Sequence, residues 1–434
     1  MRLTLIKPRI FENFINQERL LNFSVIAQPL ALAVLAGLTP DDVEIKCYDD
    51  RIEPIPYDEP TDVVGITVDT ISAKRAYQIS AEFRKRNVPI VMGGIHPTIV
   101  PQESILHCDA VVIGEAEAAW GEVIKHARDK KLKKFYGSRA RAPLQGIQPD
   151  RSIFDGKKYF PLYPVEVGRG CAHRCNFCVV SAFFSHTYVA RPVQDVLQDL
   201  RGLKKRLIFF TDDNIIADPN RAKDFFRAII PLKIKWMGQS TISLAKDDEL
   251  MELMSESGCQ RLIIGLESVI PQTLKNMHKL PNIAIGDYAA ALDRIRAHRI
   301  SVCGSFLFGY GAEPANILEQ TVLFALQNKL FNAYFNFLVP YPETPFYEEM
   351  LSTGKLRHPH WWLDEECLEG KPAFALDGDQ SKESILALGQ RSNRMFYTVS
   401  SIIKRMERSA NCRGAHQIFD YLVSNFFYAR RHLF

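Results

Sequence analysis

Two series of alternating apolar strands and amphipathic helices run along the chain. In the first series, near-continuous apolar runs that end in glycine or an acidic residue predict strands at residues 1–6, 43–49, 62–68, 89–94 and 110–117. Helical spacing predicts intervening helices at 29–38, 71–86, 101–108 and 118–130. Such runs are typical of parallel strands covered on both faces. Residues 1–137 therefore predict an α/β, doubly wound (Rossmann-like) domain whose ligands lie at the carboxyl ends of its strands.

The second series begins near residue 161. Its apolar runs predict six strands, at 161–170, 206–213, 234–240, 261–268, 301–309 and 333–340. Because helical segments separate these strands, we expect a partial (βα)6 TIM-like barrel over 161–345, with its chemistry at the strand carboxyl ends. Residues 138–160 are rich in Arg, Pro and Gly and predict a linker. Residues 346–434 predict a small helical C-terminal region, with amphipathic stretches at 394–406 and 416–434.

Composition narrows the function classes. The 434 residues are 47% apolar and 24% charged, which is ordinary for a soluble protein, and a net charge of +4 gives no case for nucleic-acid binding. The sequence shows neither a signal-peptide pattern nor an uninterrupted apolar stretch of about 18 residues. We therefore expect a cytoplasmic protein in a reducing compartment.

Three of the nine cysteines fall within eight residues, directly after the first strand of the second series: Cys171, Cys175 and Cys178. Thiolates are soft ligands suited to iron–sulfur clusters or zinc. Three ligands for four irons leave one iron open, whereas structural zinc normally takes a fourth nearby Cys or His. His173 is the candidate for that fourth ligand, but it lies inside the loop. The pattern favours a [4Fe–4S] cluster over a zinc site or a chance grouping.

The CxxxCxxC loop, with an aromatic residue before its last cysteine, resembles the signature of radical S-adenosylmethionine (radical SAM) enzymes. The resemblance implies that the three cysteines hold the cluster and that Phe177 packs near the adenine. It also implies that the open iron chelates the methionyl group and that reduction yields a 5′-deoxyadenosyl radical. The segment at 340–345, PYPETP, resembles the PYPGTP element of one large branch of the family.

Further strand ends carry candidate contacts for S-adenosylmethionine. Asp213 is the candidate for the methionyl ammonium, although it departs from the family's Gly-Gly-Glu, and a helix N-cap is the alternative. Gln239 and Ser240 are candidates for the carboxylate or ribose. Glu267 is the candidate for the ribose hydroxyls, with a helix cap again as the alternative. Gly309 resembles the glycine-bearing fifth strand of the family, which packs against the adenine.

The N-terminal runs DVVGITV, PIVMGGIHPT and AVVIGEAEAAW resemble the cobalamin-binding domain of the cobalamin-dependent branch, which includes the anaerobic porphyrin cyclase and the hopanoid and bacteriochlorophyll methylases. The resemblance implies cobalamin contacts at strand ends, at Gly65, Thr67, Gly93, Gly94, His96, Gly114 and Glu115. The DxHxxG pattern that supplies an axial histidine is absent, so His96 is expected to position backbone rather than bind cobalt. A vestigial domain without cobalamin remains an alternative.

The resemblance implies methyl transfer to an unactivated carbon, driven by two molecules of S-adenosylmethionine. Radical cyclisation, rearrangement or other bond formation on the same scaffold is the first alternative, and a non-catalytic cobalamin or iron–sulfur sensor is the second. We expect a small-molecule or lipid substrate and a flavodoxin or ferredoxin as reductant. The aromatic and basic tail, with Arg430, Arg431 and His432, predicts either peripheral membrane contact or packing on the barrel.

Overall fold

The N-terminal domain is built on one parallel sheet. The structure, a computed structural model, describes residues 1–10, 27–204, 207–311, 313–375, 385–406 and 410–431. The sheet has the order β2-β1-β3-β4-β5-β6. Its strands are β1 (Arg2–Lys7), β2 (Glu44–Asp49), β3 (Val63–Thr67), β4 (Ile90–Gly93), β5 (Ala110–Gly114) and β6 (Phe135–Ser138). The order reverses between β1 and β3, and such a switch point opens a crevice for ligands at the carboxyl edge.

Helices cover both faces of this sheet, which confirms the doubly wound prediction. They are α1 (Leu30–Leu38), α2 (Ala73–Arg84), α3 (Ile95–Ile99), α4 (Pro101–Ser104) and α5 (Trp120–Arg128). Apolar residues on the two faces form separate cores, one around Leu5, Val91 and Trp120 and the other around Val64, Ile79 and Phe83. The sequence did not predict β6 or α3, because each is only four or five residues long.

The second domain is the partial barrel that the sequence predicts. Its six parallel strands have the order β14-β13-β12-β11-β10-β7. They are β7 (Tyr163–Val165), β10 (Leu207–Phe210), β11 (Lys235–Ser240), β12 (Cys259–Glu267), β13 (Ser301–Phe308) and β14 (Asn332–Phe337). Around them lie α7 (Val193–Gly202), α8 (Pro219–Ile229), α9 (Asp248–Glu256), α10 (Pro271–Asn276), α11 (Leu280–Ile285), α12 (Tyr288–Ala297) and α13 (Ile317–Gln327).

A small hairpin that the sequence did not predict interrupts the barrel after β7. Strands β8 (Gly168–Gly170) and β9 (Tyr188–Ala190) pair antiparallel. The cysteine loop lies between them and includes α6 (Val179–Phe183). Gly170 has φ +93° and its missing side chain leaves room for the Thr187 carbonyl. The hairpin therefore closes both ends of the cysteine loop.

The C-terminal region packs against the barrel. It contains α14 (Pro345–Ser352), α15 (Glu365–Leu368), α16 (Ile385–Phe396), α17 (Val399–Lys404) and α18 (Ala415–Arg431). Arg261 of β12 pairs with Asp420 of α18, and buried Arg405 bonds to Asn425 of the same helix at 2.9 Å. This contact supports the packing alternative for the tail, whose His432 lies outside the described residues.

The segment between the two domains is ordered by packing. Phe154 joins the core of the N-terminal domain, and Leu144 and Ile147 pack on Val34 of α1. The predicted linker at 138–160 therefore packs along the surface of the first domain. In the part of the chain that the structure describes, no helix combines enough length with enough apolar character to span a membrane.

Candidate active site

The three predicted cluster ligands lie together on the loop that the β8–β9 hairpin encloses. Cys175 is buried, and Cys171 and Cys178 are half-buried. Cys178 immediately precedes α6, and its backbone N–H donates to the Cys175 carbonyl at 3.2 Å. The Ser181 hydroxyl donates to the His173 carbonyl at 2.9 Å, which holds the middle of the loop against α6. The loop therefore presents its sulfurs from a compact turn.

The donor set bears on which metal centre fits. The loop offers three thiol donors, Cys171, Cys175 and Cys178. A structural zinc ion takes four protein ligands, whereas three thiolates leave one iron of a [4Fe–4S] cluster open. The three thiols therefore fit a cluster better than a structural zinc ion.

Burial raises the pKa of Cys171, and it raises the pKa of Cys175 to about 11. The ammonium of Lys279 opposes both shifts. A metal ligand must be a thiolate, so this buried cation helps the thiols to ionise when metal binds. Sequence reasoning missed Lys279, because it follows α10 and approaches the cysteine loop only in the folded chain.

Asn176 and Phe177 join the cysteine loop to the rest of the barrel. The Asn176 side chain donates to the Asn276 carbonyl at 2.9 Å and to the Tyr310 hydroxyl. Phe177, the predicted adenine neighbour, packs with Leu338 and Phe346, and Lys279 Nζ lies 6.0 Å from the centre of its ring. The aromatic position of the loop therefore borders the barrel mouth.

Glu267 and Lys279 form a buried ion pair at the end of β12, with 2.6 Å between Nζ and Oε1. Glu267 has φ +62°, an uncommon conformation for a non-glycine residue. A Cβ at position 265 would overlap Glu267 Oε1. Gly265 therefore makes room for this carboxylate. Helix α10 begins after Ile270 without a side-chain cap, so the structure does not support the capping alternative for Glu267.

The other predicted barrel residues lie at strand ends with different partners. Asp213 accepts from the Gly170 N–H at 3.1 Å, and burial raises its pKa to about 6. Asp218, rather than Asp213, caps α8. The Ser240 hydroxyl donates to the Thr241 carbonyl at 3.1 Å. Gln239 is half-buried near the end of β11. The Gly309 N–H donates to Glu313 at 2.8 Å.

A cavity of about 370 Å³ lies at the carboxyl edge of the N-terminal sheet and faces the barrel; we call it the N-terminal cavity. Predicted cobalamin contacts from β3, β4 and β5 meet in its wall, namely Gly65, Thr67, Gly93, Gly94, Gly114 and Glu115. Asp213, Phe183 and Phe184 form part of the barrel side. Residues on both sides of the three cysteines, Arg169 before them and Phe183 and Phe184 after them, line this cavity, so it lies beside the cysteine loop.

The glycines of this wall have two different physical roles. Gly94 and Gly114 have φ +111° and +76°, and a Cβ at either would meet the backbone of Val68 or Ser138. Their conformation is therefore required by the fold itself. A Cβ at Gly93 would meet only Val112 at ordinary contact distance, so Gly93 keeps open a surface that a flat ligand can approach.

His96 does not line this cavity, and its predicted contact with cobalamin stays a prediction. Helix α3 turns the ring away, and Nε2 lies 3.0 Å from the Tyr77 hydroxyl and 3.3 Å from Glu103. Burial lowers the pKa of His96, which favours the neutral ring. None of the described residues that line the N-terminal cavity is a histidine. The donors present therefore fit cobalamin held without an axial histidine.

Arg169 connects the two domains at the rim of the N-terminal cavity. It bonds to Glu115 at 3.0 Å and to Glu117 and Glu166 at 2.8 Å. Arg141 also donates to Glu115, at 2.9 Å. Of these five residues, the sequence predicted a role for Glu115 alone. Arg169 lies two residues before Cys171, so its partners from the other domain were not visible in the sequence.

Comparisons with known proteins agree with this arrangement. A profile of the Radical SAM superfamily matches residues 165–325, and a profile described as B12 binding domain matches residues 20–124. Bacteriochlorophyllide d C-12(1)-methyltransferase from Chlorobaculum tepidum is 30% identical over 395 residues, covering 88% of this chain and 85% of that protein. The chain belongs to the cobalamin-dependent radical SAM enzymes. Its cofactors are a [4Fe–4S] cluster, S-adenosylmethionine and cobalamin, and its relatives support carbon methylation as its reaction.

Two solved structures share the fold. The radical SAM methyltransferase TsrM from Kitasatospora setae, with cobalamin and a [4Fe–4S] cluster bound, gives a TM-score of 0.65 at 16% identity and covers 82% of this chain and 79% of its own. The cobalamin-dependent radical enzyme OxsB, with aqua-cobalamin and S-adenosylmethionine bound, gives a TM-score of 0.66 at 15% identity. The match covers 100% of this chain and 72% of the OxsB chain. The domain order of this radical SAM chain is therefore that of both.

Proposed function

We propose that this enzyme transfers a methyl group from S-adenosylmethionine to an unactivated carbon of a hydrophobic acceptor. The observation that carries the proposal is that the N-terminal cavity lies beside the cysteine loop. Phe183 and Phe184 line that cavity and follow Cys178 by five and six residues. A hydrogen-abstracting centre and a methyl donor must reach the same carbon, and adjacent sites meet that requirement.

Within this proposal the chain's own residues have separate tasks. Cys171, Cys175 and Cys178 hold the cluster, and when bound it supplies the electron that cleaves S-adenosylmethionine. Glu267 and Lys279 offer an acceptor and a donor for the ribose and carboxylate of that substrate, and Phe177 provides the adjoining aromatic face. Thr67 and Gly93 face cobalamin from the sheet edge. Glu115 is held by Arg169 and Arg141, so it fixes the rim between the domains.

The net reaction fixes the products. The acceptor C–H bond becomes C–CH3 while two molecules of S-adenosylmethionine give S-adenosylhomocysteine, methionine and 5′-deoxyadenosine. The balance requires two electrons per turnover, which we assign to a flavodoxin or ferredoxin. The cytoplasmic location expected from the sequence suits such a partner and remains a prediction.

The acceptor is proposed from the relatives and from the tail. The relative named above is, by its name, a methyltransferase that acts on bacteriochlorophyllide d. One face of α18 leaves Phe419, Val423 and Phe426 exposed, at helical spacing. This stripe supports peripheral membrane contact of the kind an apolar acceptor would favour. Vesicle flotation of the wild type and of Phe419→Glu tests that contact.

The test of the proposed function is anaerobic reconstitution with iron, sulfide and cobalamin, followed by assay of both nucleoside products. We expect 5′-deoxyadenosine and S-adenosylhomocysteine in equal amounts, and a product 14 mass units heavier than bacteriochlorophyllide d or a related acceptor. Cys175→Ala should abolish 5′-deoxyadenosine, whereas Cys303→Ala, a buried cysteine beside the C-terminal helices, should retain it. A cyclised product without added mass would instead support the alternative reaction.

A further inference from the structure

A second cavity, of about 330 Å³, runs along the open edge of β14; we call it the β14 cavity. All three parts of the chain contribute to it. The barrel gives Phe337 and Leu338, the N-terminal domain gives Ile71, and the C-terminal region gives Trp361 and Gly389. A site where separate regions converge and apolar walls dominate is the usual form of a small-molecule pocket.

The β14 cavity reaches the mouth of the barrel. Leu338 lines it and also packs in the same apolar cluster as Phe177 of the cysteine loop. Asn336 lines it as well and donates to the Ser305 hydroxyl at 3.3 Å, and Ser305 is in register with Gly265 near the end of β12. An occupant of the cavity can therefore extend along β14 toward the proposed S-adenosylmethionine site.

The lining defines the chemistry of an occupant. Aromatic and aliphatic side chains form most of the wall, and its polar groups include the amides of Asn336, Gln390 and Asn393. The ammonium of Lys371 is paired with Glu366 at 2.8 Å, so its charge is compensated. Burying an unpaired charge there would be costly, whereas hydrocarbon is favoured.

We propose that the β14 cavity binds the methyl acceptor and takes an uncharged, hydrocarbon-rich part of it, whose C–H bond faces the cysteine loop. This inference rests on the proposed function. It adds the place and the chemical class of the acceptor, neither of which follows from the cofactor sites.

Gly389 allows a direct test of this assignment. It lies inside α16 and lines the cavity, so a side chain added there would enter the cavity. A Cβ there would meet only the Phe335 carbonyl, at 3.9 Å, and its φ is not in the left-handed region. Leucine is a good helix former, so Gly389→Leu should fold and fill the cavity. Gly202→Leu is the matched control, because Gly202 ends α7 with open space around it.

The probe is perdeuterated tetralin, an uncharged hydrocarbon with weak benzylic C–D bonds, added to the cofactor-loaded enzyme with S-adenosylmethionine and titanium(III) citrate. One electron from the reductant breaks the sulfonium C5′–S bond and releases methionine. A deuterium atom then moves from tetralin to the C5′ carbon, and the benzylic radical left on tetralin takes a second electron from titanium(III) and a proton from water. We expect mass-shifted 5′-deoxyadenosine from the wild type and from Gly202→Leu. Gly389→Leu should give at least tenfold less label with total 5′-deoxyadenosine unchanged.

Two results would overturn the assignment of the β14 cavity: no label from the wild type, or equal label from Gly389→Leu. Tetralin binding, followed by the change in tryptophan fluorescence to which Trp361 of the wall contributes, tests the cavity independently of chemistry. This binding should also weaken at least tenfold in Gly389→Leu. Failure of the proposed function would give a different result from failure of the cavity assignment. The wild type would then form no 5′-deoxyadenosine at all, while the binding measurement would still decide whether the cavity takes hydrocarbon.

Discussion

At the scale of single residues, the site depends on one close approach, between Gly265 and the carboxylate of Glu267. The added methyl group of Gly265→Ala would overlap Glu267 Oε1 and lie 3.0 Å from Lys279 Nζ. Both atoms end flexible side chains, so the ion pair shifts while the backbone stays. We expect S-adenosylmethionine cleavage to fall about 100-fold, since a displacement of about 1 Å has that effect on catalysis.

The measurement is 5′-deoxyadenosine formation together with the cluster absorbance, which should be unchanged. Gly202→Ala, at an open helix end, serves as the control. Wild-type rates in Gly265→Ala would show that the Glu267–Lys279 pair does not position S-adenosylmethionine.

At the scale of elements, the β8–β9 hairpin places Arg169 among three carboxylates. In Arg169→Met, Glu115, Glu117 and Glu166 would lose the guanidinium that they share, and Glu115 would keep its bonds to Arg141 and to the Ala142 N–H. Removing one partner of a buried ion pair costs about 3–5 kcal/mol, and we expect a loss of that order in the free energy of unfolding of the apoprotein. Urea denaturation measures it, and retention of cobalamin after desalting should fall as well.

Arg169→Lys should recover only part of this loss, because an ammonium cannot reproduce the guanidinium fork. Arg227→Met on α8 removes exposed ion pairs and should cost at most about 1 kcal/mol. If Arg169→Met matched Arg227→Met, the hairpin would not couple the two domains.

These elements show where sequence reasoning reaches its limit. The cysteine loop and the strand-end residues of β3 to β5 were predictable, because local spacing and the parallel-sheet rule place them. Arg169 and Lys279 were not, because their partners lie in another domain or another loop. The surroundings of His96 were not predictable either, because the glycines before it continue the strand pattern, whereas the short helix α3 turns its ring toward Tyr77 of α2. A five-residue helix leaves too few positions for a period to be seen.

At the scale of the whole molecule, Glu103 ties the N-terminal domain to the C-terminal region. It accepts from Tyr77 at 2.8 Å, from Trp362 Nε1 at 2.9 Å, and from His360 at 2.9 Å, and it also contacts His96. Burial acts to raise the pKa of Glu103, but these hydrogen bonds outweigh it and lower that pKa to about 2. The folded protein therefore favours the charged carboxylate.

This shift predicts how stability depends on pH. A carboxyl group whose pKa falls on folding stabilises the protein above its unfolded pKa, near 4.5, and loses that contribution as pH falls toward 2. Glu103→Gln should therefore lower the free energy of unfolding at pH 7, and its difference from wild type should shrink between pH 4.5 and pH 2. Urea denaturation across that range measures the difference, with Glu252→Gln on the exposed face of α9 as the control. A difference that stayed constant with pH would mean that Glu103 joins the two regions by packing alone, and the charge would then have no part in holding the C-terminal wall of the β14 cavity against the N-terminal domain.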